Sequence, residues 1–152
     1  MILGKTIASF SVVALVGCTA NSKVAISDVG TESWCREYHL PYGPVLDKNN
    51  QLTIAGLVRY ESRSTRLIQL ASGNEQLSAS AVPALIILRN AATAAKGRLL
   101  AGEASVEVYR KEIATDGVRS SAADLDLLAQ TSCTHSASAT TGTPVSSSWY
   151  SF

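Results

Sequence analysis

The apolar positions along this chain fall into three regimes. Thr6 to Val16 is an uncharged, mostly apolar run with no polar face. From Leu57 to Ile113, apolar and small side chains return at steps of three and four, the spacing that lines one side of an α-helix. From residue 131 onward the text becomes Ser/Thr-rich and the period disappears.

In the periodic part, Leu57, Tyr60, Ser64, Leu67 and Ala71 share one face of a first helix of about 20 residues. Asn49 or Asn50 would cap it near Leu52, and Gly73-Asn74 would stop it. Arg59, Arg63 and Arg66 fall largely elsewhere on the cylinder and predict a solvated face. A second series, Leu85, Leu88, Ala92, Ala95, Leu99, Gly102, Val106, Tyr109 and Ile113, predicts one continuous helix. Ser80 would be its cap, Pro83 would sit in the permitted first turn, and Asp116-Gly117 would end it. Such a helix of about 34 residues would reach roughly 50 Å, further than the first helix can cover. Its small-residue seam (Ala92, Ala95, Gly102) is therefore expected to meet a third helix, another subunit or a protein partner. The third helix is short, near Ser121 to Gln130, with Leu125, Leu127 and Leu128 available for packing. The expected fold is mainly α: a helical hairpin with one long helix plus a short third one.

The flanks carry different signals. Thr19 to Ser33 lacks helical period and reads as a flexible tether. In the next stretch Pro41, Gly43 and Pro44 break any helix, and Trp34, Tyr38 and Tyr42 gather within residues 34–42. Those rings either face a partner or a glycan, or plug the base of the helices. AVPALIIL, Ala81 to Leu88, is a local apolar peak far shorter than the roughly 20 residues a bilayer crossing needs. The tail closes on apolar WYSF, Trp149 to Phe152, suited to a docking peptide or to packing on the aromatic rings.

Ahead of the tether, Lys5 precedes the apolar run of Thr6 to Val16, which ends in Leu15-Val16-Gly17-Cys18. The layout is that of a secretory signal peptide, since the run is too short for a permanent span. The last four residues resemble the lipobox of bacterial lipoproteins. That resemblance covers the leader only, and it implies cleavage after Gly17 and acylation of Cys18. Lipid chains (palmitate-type) would then hold the protein at a membrane surface, and two or more chains make such attachment stable. Thr19, standing where Asp would retain a lipoprotein at the inner membrane, favours the periplasmic face of the outer membrane. The organisation expected is signal peptide 1–17, tether 18–33, helical domain 34–130 and low-complexity tail 131–152.

Charge and chemistry narrow the rest. Without Lys5 the basic and acidic residues balance at 12 each, which argues against nucleic acid as a partner. Charged residues make up 16% and aromatics 6%, so the core is thin and gains from a crosslink. In an oxidising compartment Cys35 and Cys133 are expected to form a disulfide. The competing reading sets Cys35, His39, Cys133 and His135 around zinc, although a CxH pair is tighter than usual structural spacings. With both histidines beside cysteines no triad is available, and Asp124 and Asp126 point to different helix faces. No catalytic residue and no cofactor is expected. The function expected is that of a non-enzymatic envelope lipoprotein, structural or partner-binding, with Leu85 to Ile113 as the contact helix for a protein partner or a second copy. The alternatives are a phage-encoded lipoprotein for lysis or superinfection exclusion, and a peptidoglycan-binding module acting through Trp34, Tyr38 and Tyr42.

Overall fold

The computed structural model describes residues 28–133, which form five α-helices and one π-helical turn. The expected signal peptide, Cys18, most of the expected tether and the tail from Thr134 to Phe152 lie outside the described residues.

The hairpin is there, and its first arm keeps the expected face. Helix α2, Ile54–Ala71, buries Leu57, Tyr60, Ser64, Leu67 and Ala71. Its cap, however, is Thr53, whose hydroxyl accepts from the amide of Gly56 at 3.0 Å. Asn50 instead adopts a left-handed φ of 58° in the turn between Leu46 and Leu52, and Asp47 Oδ1 accepts from the amides of Asn49 and Gln51. Arg63 departs from the expected solvated face: its side chain is buried. Gly56 lets the preceding loop lie on α2, because a Cβ there would stand 2.5 Å from the carbonyl oxygen of Val45. Gly56→Ala therefore has to push the loop backbone away. The expected loss is about 1–3 kcal/mol in a denaturant titration, as for other overpacked sites.

The second arm starts earlier than its sequence pattern indicates. Helix α3, Glu75–Leu100, is capped by Asn74, whose side chain accepts from the amide of Leu77 at 3.0 Å. Pro83 thus stands inside the helix, where it removes one backbone hydrogen bond. Burial of Leu77 and Ala81 upstream of it offsets part of that cost. The expected seam holds through Leu85, Leu88, Ala92 and Ala95, all buried against α2 and against α5, Asp116–Ser132.

Beyond Leu99 the single long helix does not continue. Gly102 takes a φ of 86°; its amide donates to the Leu99 carbonyl, and the Glu103 amide donates to that of Arg98. This is the paired bonding of a glycine-terminated helix end. Arg98 fastens the corner through Glu103 at 2.9 Å and Glu112 at 2.6 Å. After it, helix α4, Ser105–Val108, and the π-turn Tyr109–Ile113 follow a new register. Val108 is buried and Val106 is 58% exposed, the reverse of the seam expected across the break.

Thr115 caps α5, so Asp116-Gly117 opens a helix rather than closing one. The third helix is longer than Ser121 to Gln130 and uses Val118, Ala122, Leu125 and Ala129 as its core side. Leu127, expected to pack, is 61% exposed. Helix α1, Asp28–Tyr38, occupies the end of the expected tether and the start of the aromatic segment. An 11-residue helix is marginal by itself. Here Trp34, Cys35 and Tyr38 sink into the core and hold it. Its first turn meets the hairpin bend, where Asn74 Nδ2 donates to Thr31 Oγ1 at 3.2 Å.

Candidate functional site

The end of α1, the loop after it, α2 and the end of α5 converge on a cluster of polar and aromatic side chains. Cys35 and Cys133, 98 positions apart in sequence, are joined there in a disulfide with their Cα atoms 5.5 Å apart. The sulfurs are thereby used up, so the zinc reading loses two of its four ligands. His39 lies edge-on to the Tyr38 ring at 5.5 Å, and His135 lies outside the described residues.

Of the three rings read as either facing a partner or plugging the base of the helices, two do the latter. Trp34 is 0% exposed and Tyr38 2% exposed, stacked on each other with centroids 5.1 Å apart. They plug the base of the helices and offer no face to a glycan or a protein. The third ring, Tyr42, is half-buried.

Between the rings lies a residue that the periodic reading placed in solvent. The Arg63 guanidinium stands 5.5 Å from the Tyr38 centroid and 5.0 Å from that of Tyr42, a cation held between two π-faces. Arg63 Nη2 donates to the Tyr38 carbonyl, which ties α2 to the last residue of α1. Tyr38 Oη donates to Asp126 on α5, and Tyr42 Oη donates to Glu37 on α1. Burial lowers the pKa of Arg63 from its ordinary value, with the nearby tyrosines and Asp126 opposing that effect. The one sequence clue to this arginine was its place between Tyr60 and Leu67 on a face already rich in core residues. Asp126 carried no clue, being 88 residues from Tyr38.

Burial, and then the hydrogen bond to the Glu37 carboxylate, push the Tyr42 phenol up to about 12 from 10.0. A raised folded-state value means that the contact stabilises the fold fully below the unfolded value. That contribution disappears as the pH climbs through the folded one. Alkaline titration of tyrosinate absorbance should therefore show a late-ionising component that Tyr42→Phe diminishes by one ring. An unchanged late phase in that variant would contradict the assignment. Across the hairpin, Glu61 is held below its ordinary carboxylate value by hydrogen bonds from Lys96 and Thr93. That link is intact above 4.5, the unfolded value, and is lost as the pH falls through the lowered one. Lys96→Met should flatten the acid limb of the stability profile; an identical limb would count against the pair.

No family model, curated protein or solved structure matches this chain.

Chemically, the cluster acts as a clasp. The Tyr38 and Tyr42 hydroxyls and the Arg63 guanidinium bond carboxylates or a backbone carbonyl of the same fold, and the Trp34 and Tyr38 rings are sealed from solvent. The expected contact seam is likewise spent within the chain. Leu85, Leu88, Ala92 and Ala95 face α2 and α5, so α3 leaves open the opposite side of its cylinder.

Proposed function

We propose that this protein is a non-enzymatic cell-envelope lipoprotein, a structural or protein-interaction component anchored through Cys18 at the periplasmic face of the outer membrane. The observation that carries the reading is the division of labour among its three cysteines. Cys35 and Cys133 bond to each other within the helical fold, which suits an oxidising compartment. The remaining one, Cys18, stands in the LVGC segment that resembles a lipobox. The clasp of Arg63, Tyr38 and Tyr42 supports a scaffold role, since its polar groups are engaged in holding three helices together. A glycan-binding role through Trp34 and Tyr38 has no exposed ring to rest on.

Intact mass of the membrane-extracted protein, with and without reductant, tests the reading. The expected species lacks residues 1–17, carries acyl chains on Cys18, and gains one pair of hydrogens on reduction. An unprocessed, water-soluble chain with all its cysteines titratable would overturn it.

A further inference from the structure

By length and composition alone, α3 could cross a membrane, yet one side of it is core. Its other side is open and uncharged. Pro83, Ile86, Ile87, Asn90, Ala94 and Gly97 are all exposed there, with Ile86 at 37%, Ile87 at 44% and open space above Gly97. The charges between Glu75 and Arg98 are Arg89 and Lys96, both half-buried. Both flank α2, where Lys96 pairs with Glu61 and Arg89 adds to the field on that carboxylate.

Resting on the lipoprotein reading, we propose that this face lies against the lipid leaflet that holds the Cys18 anchor. Two considerations select the leaflet as its occupant. The first is the attachment point. Ten residues lead from Cys18 to Asp28, a reach of at most about 35 Å. They join α1 where Thr31 bonds Asn74, the residue that caps α3. Ile86 and Ile87 stand about 18–20 Å further along that helix, within the tether's range. Contact with the leaflet is then intramolecular, so even a weak surface attraction is well populated. An uncharged face also brings no unpaired ion into the interface.

The second consideration is area. The strip from Pro83 to Gly97, about 21 Å long and 10 Å wide, offers roughly 210 Å², about a quarter of the ~800 Å² per partner in a standard stable protein interface. A leaflet sets no such minimum, because the anchor already supplies the attachment. The domain thus lies along the surface with α3 downward and α1, which packs on α2 and α5, on the far side.

The test places the photoreactive amino acid benzoylphenylalanine at Ile87 in the full-length, membrane-processed protein. Asn90 is a second site on the face, and Arg36, an exposed side chain of α1, is the control. Each variant is reconstituted in phosphatidylethanolamine/phosphatidylglycerol vesicles, irradiated, and read by intact mass. The expected result is a mass shift of one phospholipid at positions 87 and 90 and none at 36. A crosslinked pair of chains, or no adduct at 87 and 90, overturns the proposal. The same spectra show whether Cys18 is acylated, so a missing anchor is distinguished from an anchored domain that stands clear of the leaflet. Retained helicity and an intact disulfide certify that each variant is folded.

Discussion

Replacing both Cys35 and Cys133 with alanine is expected to cost the helical domain about 4–5 kcal/mol. The bridge spans 98 positions, nearly the whole described fold, and closing a loop of about 100 residues removes that much conformational freedom from the unfolded chain. Small domains are stable by only about 5–15 kcal/mol, so the loss is about a quarter or more of the total. Urea titrations with and without reductant measure it directly. The expected outcome is a large drop in midpoint on reduction, and the double-alanine variant should sit at the reduced value. Equal midpoints would show that α1 is held by Trp34 and Tyr38 alone and that the bridge adds nothing to stability. The location of the bonded pair argues against such an outcome. Cys35 lies on the short α1, which has little helical stability of its own, and Cys133 ends α5.

The second large effect is expected at Trp34. Truncating this fully buried ring to alanine should cost about 3–5 kcal/mol, the range for large aromatic residues removed from a core. A ring serving a partner on the surface would instead leave stability within about 0.5 kcal/mol of the parent, so the experiment separates the plug from a binding patch. Trp34→Phe sharpens it. The indole N–H is buried without a hydrogen-bond partner among the described residues, and phenylalanine removes that donor while keeping most of the packing. The phenylalanine variant is expected to recover most of what alanine loses. Thermal melts of the three proteins decide the matter, and a Phe variant as unstable as the Ala one would assign the indole a polar role in the clasp.

Both effects arise from contacts between segments distant in sequence, and that is where the chain was hardest to read. The face of α2 was legible because Leu57, Tyr60, Ser64, Leu67 and Ala71 state a helical period by themselves, and all five are buried. The same is true of Leu85, Leu88, Ala92 and Ala95 in α3. The pattern misled past Leu99, because Val106 and Ile113 happened to continue the spacing across a glycine-terminated break. Side-chain spacing does not register a left-handed backbone residue, and Gly102 looked like one more small seam position. Helix α1 was missed for the opposite reason. Its stretch has few apolar residues and no long period, and its helicity depends on the core into which Trp34, Cys35 and Tyr38 fit.

The sequence by itself determined the fold class, the two main core faces, the Gly73-Asn74 bend and the pairing of Cys35 with Cys133. Periodicity and turn chemistry are local, and the Cys35–Cys133 pairing was the expected one once Cys18 was read as a lipid anchor. Tertiary structure alone decided that Arg63 is buried between Tyr38 and Tyr42, that the expected contact seam is consumed inside the fold, and that the opposite face of α3 is the one left open. Those outcomes depend on which helices stand on either side of a given cylinder. A one-dimensional pattern shows that a face will be covered, while the three-dimensional packing of α1, α2 and α5 settles what covers it.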